Sequence, residues 1–427
     1  MKILIVSYEL WDGVTNGGNV LSNIFDGYEA EFAQIFCVGG TPYNKVCKRY
    51  FQMSDQMVIH RQKLGKELIF EDYPANIEGA NPKGNTRKTV TYFRSSLMLL
   101  REVAWSLSKW KTKELEKFVL DFKPDIIFAP CNPIPHVLKI QRYIKKIAKC
   151  PMVSYVYDDI YSLKKFSLSP VFWLNHFINR KHIRRVFKDY DFVFTMTEKQ
   201  KGEYEKHFKR PMDIICKSGS FESEPRTNIT YPVKLIYAGG VYINRWKVLK
   251  EVKNALAKIN KDEKKAELHI YTANKVSKRQ EKAMADGYSS FLHSAVSTEE
   301  LKKLYKDSHI ALHVESFSLK NRLETRLSFS TKIVDCLESG CAIVAIGPRG
   351  QAGIEYLREN DAAVCINSKK EISRVLFEIM NNTFEIEKYS ALAIELGKRE
   401  HTREKNKEKL QGCLKEQTEA FQKTEEK

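Results

Sequence analysis

The sequence predicts an α/β protein built from two doubly wound, Rossmann-like domains in tandem. Short apolar runs, each the length of one strand, alternate with amphipathic helical stretches, as expected for parallel strands covered by helices. The alternation stops once, between residues 215 and 232, where Ser, Gly, Pro and Asn accumulate, and then starts again. A chain of 427 residues also exceeds the usual size of one hydrophobic core.

The first half is predicted to form an N-terminal domain over residues 1–220, followed by a linker over 221–232. Its predicted strands are Lys2–Ser7, Ala33–Val38, Ile126–Pro130, Val153–Tyr157 and Phe192–Met196. A glycine-containing loop at residues 16–19 follows the first strand, and a helix with Leu21 and Ile24 on its apolar face comes next. This order is typical of a strand, loop and helix unit that opens a doubly wound sheet.

The second half is predicted to form a C-terminal domain over residues 233–384. Strands are expected at Val233–Tyr237, Leu268–Tyr271 and Ile310–Val314, with a helix at Thr298–Tyr305 before the last of these. Residues 385–427 are rich in Lys and Glu and predict a separate helical tail.

The segment FSTKIVDCLESGCAIVAIGP predicts a helix start, a short helix, a glycine stop and a strand. The helix is expected to begin near Thr331 and to stop at Gly340. Its unpaired N–H groups, the hydroxyls of Ser330 and Thr331, and the charge of Lys332 suit a diphosphate, while Asp335 suits a ribose diol. The alternative is purely structural: one hydroxyl caps the helix, Lys332 is solvated and Asp335 complements the helix dipole.

Composition limits the class of partner and the compartment. A formal charge of +18 favours anionic partners such as nucleotides, lipid headgroups or nucleic acid. The nine cysteines include no CxxC pair and no zinc-finger spacing, which favours reduced thiols in a cytoplasmic protein. The N-terminus does not have the pattern of a signal peptide, and no segment reaches the ~18 apolar residues of a membrane-spanning helix.

Three segments occur in an order that resembles a known family. They are LIYAGGVYINRWKVL, FLHSAVSTEELKKLYKDSHIALHVES and FSTKIVDCLESGCAIVAIGP. Together with the tandem domains they resemble the GT-B fold glycosyltransferases, and most closely the retaining glycosyltransferase family 4 group. The resemblance implies two domains facing a central cleft and transfer of a sugar from a nucleoside-diphosphate sugar, preferably a UDP-sugar, with retention and without a metal or other cofactor.

The resemblance also implies a donor site. Arg245, with Lys250 as a second candidate, lies where the family contributes basic residues to the diphosphate, after the turn that contains Gly240. Gly17 and Gly18 correspond to the family's glycine turn, where backbone N–H groups approach the diphosphate or the acceptor. Catalytic roles for Arg245 and Lys332, in stabilising the leaving diphosphate, follow from this assignment.

One family feature is missing from this chain. The family usually has two glutamates flanking seven residues, and the register places Asp335 at the second position and Leu327 at the first. An insertion between Ser316 and Phe329 leaves either Glu315 or Glu324 as a possible substitute for the first carboxylate.

Asp158 and Asp159 follow a predicted strand of the first domain, at the sheet edge where α/β proteins place ligands. They are candidates for holding or deprotonating an acceptor hydroxyl. Two alternatives remain open: a structural turn cap before Tyr161 and Ser162, and metal binding, which a diphosphate site built from a helix start and an arginine does not require.

Two stretches of the first domain combine aromatic, aliphatic and basic residues: Tyr92–Lys117 and Phe166–Lys188. Such helices suit the interface of an anionic membrane, which predicts peripheral contact with the inner face of the plasma membrane and a glycan or lipid-linked acceptor. The alternative is that the aromatic residues pack on the sheet and the cations form a solvated face.

The resemblance places the protein in surface polysaccharide synthesis, such as that of capsule or O-antigen. Two other classes stay open. One is a protein that binds nucleic acid or another anionic surface without catalysis, although no specific nucleic-acid motif is present. The other is a GT-B epimerase or phosphorylase, which would share the fold and its anion sites.

Overall fold

The computed structural model describes residues 1–12, 16–42, 44, 46–70 and 94–425, which fold into two compact units. Unit 1 comprises Met1–Leu163, Ser167–Ile215 and Asn406–Lys427. Unit 2 comprises Lys164–Phe166 and Cys216–Lys405. The predicted helical tail, residues 385–427, is therefore divided between the units: it belongs to unit 2 as far as Lys405 and to unit 1 from Asn406.

Unit 1 is built on a mostly parallel sheet. Its strands β1 to β8 are Lys2–Ser7, Glu31–Phe36, Cys47–Gln52, Lys66–Ile69, Ile126–Pro130, Met152–Tyr155, Phe192–Thr195 and Met212–Ile214. They lie in the order β4-β3-β2-β1-β5-β6-β7-β8, and only the β3–β4 pair is antiparallel within the described sheet. Helices α1 to α7 are Asn16–Ile24, Asp55–Ile59, Arg94–Leu107, Lys113–Phe122, Pro135–Ala148, Pro170–Val186 and Glu198–Phe208.

Unit 2 is built on an entirely parallel sheet over its described strands. Strands β9 to β14 are Val233–Ala238, Ala266–Thr272, Ser290–Ser294, Ile310–Val314, Ala342–Ile346 and Val364–Ile366, in the order β11-β10-β9-β12-β13-β14. Helices α8 to α15 are Arg245–Ile259, Lys278–Met284, Thr298–Lys306, Leu319–Glu324, Thr331–Glu338, Ala352–Glu359, Ile372–Asn381 and Thr383–Glu400. A 3-10 turn at Lys369–Glu371 precedes α14, and the last helix, α16, is Arg403–Glu425.

The burial of the central strands explains why their sequences are continuous apolar runs. Every residue of β5, β12 and β13 is buried, as expected for parallel strands covered on both faces by helices. In unit 2 the core joins the strands to one face of α8 and α14, with Val248, Leu249 and Leu376 fully or almost fully buried. The predicted fold class, two Rossmann-like α/β domains with parallel sheets, is confirmed.

Candidate functional site

The order of strands in unit 2 marks one edge of its sheet as a place for a ligand. The chain adds β10 and β11 on one side of β9, then crosses to the other side with β12. The carboxyl ends of β9 and β12 consequently flank the point where strand order reverses, which is where open α/β sheets bind ligands. Gly239 and Gly240 follow β9, Glu315 follows β12, and α8 begins at Arg245.

A buried ion pair lies at this edge. The Arg245 side chain is 10% exposed and the Glu315 side chain 2%, and Arg245 Nη2 donates to Glu315 Oε1 at 2.8 Å. Burial raises the pKa of the Glu315 carboxyl, and Arg245 opposes that rise. Burial disfavours the charge of Arg245, but Glu315 and Tyr237 outweigh it and raise the pKa of the guanidinium. Arg245 therefore stays cationic in a largely water-free position.

Part of this pair has no protein partner. Within the described residues, Arg245 Nε and Glu315 Oε2 are buried without a hydrogen bond. The Tyr242 ring centroid lies 5.5 Å from the Arg245 guanidinium carbon, and Tyr242 itself is 56% exposed. An unpaired guanidinium N–H costs free energy when it is buried, so a ligand acceptor that reached it would recover that cost.

Lys332 brings a second cation to the same edge. Its side chain crosses Gly239 so closely that a Cβ atom there would lie 2.2 Å from Lys332 Cε, so a larger residue at 239 would require the Lys332 side chain to move. Burial and then the charge of Arg245 lower the pKa of Lys332. No carboxylate of the described residues forms an ion pair with it. Asp335 and Glu315 oppose that lowering, so two carboxylates lie near enough to Lys332 to favour its charged form.

The helix that carries Lys332 adds to this positive potential. α12 begins at Thr331, as predicted, and Gly340 beyond its end has the positive φ of 76° that suits a glycine stop. Ser330 occupies the N-cap position, but its hydroxyl makes no capping hydrogen bond. The Ser330 side chain therefore does not cap the helix, and its hydroxyl and that of Thr331 stay predicted ligand contacts.

Two other predicted donor residues are placed differently from the buried pair. Asp335 is one turn into α12, and its carboxylate accepts a hydrogen bond from the Lys217 ammonium group. A ribose diol at Asp335 would share it with Lys217, an interaction that the sequence did not suggest. Lys250 lies on the exposed side of α8 and forms no ion pair with the described residues.

The two candidate carboxylates, one before the inserted segment and one within it, have different surroundings. The inserted segment forms α11 and a loop in which Asn321 Nδ2 donates to Ser316 Oγ at 3.1 Å and to the Ile243 carbonyl oxygen. Leu327 is fully buried, and Glu324 is exposed at the end of α11. Of the two candidate carboxylates, Glu315 joins the cationic site and Glu324 does not.

The corresponding edge of unit 1 has a different chemistry. The predicted loop containing Gly17 and Gly18 is instead the first turn of α1. A Cβ atom on Gly17 would lie 1.8 Å from Glu9 Oε2, and one on Gly18 would lie 2.5 Å from Asp12 Oδ1. Burial and Asp12 raise the pKa of Glu9. The role of both glycines toward a diphosphate stays a prediction, and the groups beside them are carboxylates.

Asp158 and Asp159 differ in their surroundings. Asp159 is buried and accepts hydrogen bonds from the Ser162 N–H at 3.0 Å and from the Ser162 hydroxyl, which is the geometry of a turn cap. Asp158 is exposed, and its carbonyl oxygen accepts from Gln200 Nε2 at 3.1 Å. The capping alternative therefore describes Asp159, and Asp158 has the more accessible carboxylate. The described residues contain no group of three or more side chains suited to hold a metal ion.

Solved structures share this architecture over nearly the whole chain. Anabaena HepE in complex with UDP is 12% identical with a TM-score of 0.63, covering 97% of this chain and 100% of that chain. Sucrose-phosphate synthase from Thermosynechococcus elongatus is 10% identical with a TM-score of 0.63, covering 98% and 99%. The UDP-forming α,α-trehalose-phosphate synthase from Burkholderia xenovorans, solved with glucose-6-phosphate, is 10% identical with a TM-score of 0.61, covering 97% and 100%.

The chain has the GT-B fold. Identities this low establish the fold alone. No protein-family model matches the chain, and no curated protein matches it in sequence.

Proposed function

We propose that this protein is a glycosyltransferase that moves a sugar from a nucleoside-diphosphate sugar to a glycan or lipid-linked acceptor. The observation that carries the proposal is a pair of cations, the buried Arg245 and the partly buried Lys332, at the strand-order reversal of unit 2. Anions bind where cations and helix N-termini are already held out of water. The GT-B fold, shared with glycosyltransferases solved with UDP and UDP-glucose, supports the same activity.

The site suits the negative charge that develops on the diphosphate as the sugar is transferred. When the bond between the sugar's anomeric carbon and the diphosphate oxygen breaks, negative charge grows on the diphosphate. The Arg245 fork can donate two parallel hydrogen bonds, and Lys332 and the first N–H groups of α12 supply further positive potential. Glu315 holds the guanidinium in place through its 2.8 Å hydrogen bond. This chemistry needs no covalent nucleophile and no metal ion.

The finer features of the proposal rest on the family 4 resemblance. They are uridine as the base, retention of configuration, and a role in surface polysaccharide synthesis in the cytoplasm. Unit 1 is proposed to hold the acceptor. The exposed Asp158 carboxylate is the candidate for accepting a hydrogen bond from an acceptor hydroxyl, because the Asp159 carboxylate is buried.

The first experiment is thermal unfolding in the presence of UDP, GDP, ADP or TDP, with EDTA to remove metal ions. A ligand that binds only the folded state raises the free energy of unfolding by about 2.7 kcal/mol when present at 100 times its Kd, and the midpoint temperature rises with it. We expect stabilisation by UDP, its loss in Arg245→Ala, its reduction in Lys332→Ala, and its retention in the control Lys258→Ala, which removes an exposed cation from the far end of α8. No stabilisation by any diphosphate would contradict the donor site.

A second experiment separates transfer from the other reactions of this fold. Incubation with a UDP-sugar and a panel of acceptors should release UDP and form a glycoside whose anomeric configuration is read by NMR. Conversion of the donor sugar without an acceptor would instead identify an epimerase. Salt-sensitive binding to random DNA or RNA, without diphosphate binding, would favour the binding-only alternative.

A further inference from the structure

Helix α3 of unit 1 exposes a continuous apolar stripe. Leu97, Leu100, Val103 and Leu107 recur at intervals of three and four residues, so they lie on one side of the helix. They are 48%, 64%, 55% and 82% exposed. The opposite side is fixed to the unit: Trp105 is buried and its indole N–H donates to Asp55 Oδ1 at 2.7 Å. The stripe is therefore held outward by a well-packed helix.

The neighbouring helix α6 extends this surface and adds charge. The Asn175 amide of α6 donates to the Ser95 carbonyl oxygen of α3 at 2.6 Å, so the two helices are in contact. Leu174 and Phe177 are 52% and 53% exposed, and Lys181 and Arg184 continue the same exposed side at helical spacing. Along its outer side, α6 is consequently apolar in its first half and cationic in its second.

Acidic residues are absent from the outer sides of both described helices. Glu102, the sole carboxylate of α3, faces inward and bonds to the His136 ring at 2.9 Å and to its backbone N–H. Residues 170–188 contain no Asp or Glu at all, yet contain Arg180, Lys181, Arg184, Arg185 and Lys188. Exposed apolar side chains beside cations without nearby carboxylates are complementary to a partner that has a negatively charged surface and an apolar interior.

We propose that the outer sides of α3 and α6 dock unit 1 onto the surface of an anionic lipid bilayer. The exposed leucines and Phe177 would enter the boundary between headgroups and acyl chains, and the basic half of α6 would lie against the lipid phosphates. The contact is peripheral, since none of the described helices has the length and apolar character needed to cross a bilayer. It does not depend on the donor site, which is in unit 2.

Vesicle flotation tests the apolar part. Wild-type protein should float with vesicles of phosphatidylcholine and phosphatidylglycerol at low salt, and much less with phosphatidylcholine alone. Leu100→Glu with Leu107→Glu should lose most of this binding. The matched control is Phe377→Glu with Phe384→Glu, which changes two exposed apolar residues of unit 2, 56% and 66% exposed, and should leave binding unchanged.

A charge series tests the cationic part. Lys181→Glu, Arg184→Glu and Arg185→Glu together should weaken binding to anionic vesicles by roughly 100-fold or more, because each cation near such a surface contributes about fivefold. The control with the same change in net charge is Lys261→Glu, Lys302→Glu and Lys306→Glu, three exposed lysines of unit 2.

Several results would overturn the proposal. The first is absence of wild-type binding to anionic vesicles, and the second is an equal loss of binding in the test and control variants. The third is that the wild-type protein is a dimer in solution without vesicles and that Leu100→Glu with Leu107→Glu converts it to a monomer. The last result would make the surface an interface between two copies of this chain. All variants should keep the wild-type unfolding temperature, since every substituted side chain is exposed, and circular dichroism verifies this.

Discussion

The two sheets reverse strand order in the same way, yet the groups at the two reversal points have opposite charge. In unit 2, Gly239 makes room for the side chain of Lys332, beside the buried Arg245. In unit 1, Gly17 makes room for the carboxylate of Glu9, with Asp12 beside Gly18. The topology of the two edges is therefore the same, and they differ in the charged side chain seated against the glycine. Under our proposal this difference suits unit 2 to an anionic donor and unit 1 to a neutral hydroxyl acceptor.

Removing Arg245 should produce the largest effect. Arg245→Ala leaves Glu315 buried and unpaired, which costs about 3–5 kcal/mol of unfolding free energy for pairs of this kind. Diphosphate binding should be lost as well. Urea unfolding measures the first effect and calorimetric titration with UDP the second.

A double substitution separates these two effects. Arg245→Met with Glu315→Leu replaces the buried pair by apolar side chains of similar volume and should recover most of the stability. It should not recover UDP binding. Recovery of both would mean that Arg245 acts only through the fold.

Lys332 should make diphosphate binding depend on pH. Its pKa is lowered in the free protein, so it begins to lose its proton at a lower pH than an ordinary lysine. Because a bound diphosphate favours the charged form, affinity should fall as pH rises through that pKa. Lys332→Ala should weaken UDP binding by roughly 10- to 100-fold at neutral pH, as expected for a charge-assisted hydrogen bond.

Lys332→Arg provides the control for that pH dependence. Arginine keeps its proton at every accessible pH, so the variant should retain its affinity between about pH 7 and about pH 10. Calorimetric titration across this range compares the two proteins. A parallel decline in both would assign the pH dependence to another group.

A matched pair of glycine substitutions compares the two reversal points directly. Gly239→Ala forces Lys332 out of its position, and we expect UDP affinity to fall by about tenfold, the loss of roughly one hydrogen bond. Gly17→Ala displaces Glu9 in the same manner and should leave UDP affinity unchanged. If Gly17→Ala reduced UDP affinity more than Gly239→Ala does, the assignment of the anion to unit 2 would be wrong.

Glu9→Gln should give the smallest effect, on stability alone. Burial raises the folded-state pKa of Glu9, so the folded protein holds this proton more tightly than the unfolded chain. The stabilisation that proton binding by Glu9 gives the folded state is fully present below the unfolded-state pKa, and it is lost as pH rises through the folded-state pKa. The variant should therefore gain stability relative to the wild type at neutral pH and lose this advantage in acid. Thermal unfolding at several pH values measures the difference.

The central strands could be predicted from sequence because burial on both faces leaves a plain apolar signal. β1, β5 and β12 have the predicted bounds. The edge strand β4, with the sequence KELI, and its neighbour β3, with the sequence CKRYFQ, were not predicted, because polar residues interrupt both and neither shows such a run. Gly17 and Gly18 were assigned to a loop since glycine disfavours helices, but here the tight approach of Glu9 and Asp12 requires it.

For the proposed donor site, the sequence predicted the start and end of helix α12 but did not predict the ion pair between Arg245 and Glu315. The start of α12 at Thr331 and the glycine stop at Gly340 depend on neighbouring residues, which a sequence displays. The ion pair of Arg245 with Glu315 joins residues on two strand–helix connections, and only the adjacency of β9 and β12 brings them together. A usable signal was nevertheless present: Glu315 is an acid directly after the fully buried strand β12, at the end where α/β sheets bind ligands.

The uncapped start of α12 has a consequence for the motion of the protein. A helix whose N-cap hydroxyl makes no bond leaves its first amides dependent on water, and such ends open easily. A bound diphosphate would accept from these amides and act as the cap that Ser330 does not provide. Helix order and ligand occupancy would then be linked. Amide hydrogen exchange at Thr331 and Lys332 would slow as the site fills, and it would report occupancy without any measurement of turnover, whereas the Ile333 amide already donates to the Ser330 carbonyl oxygen.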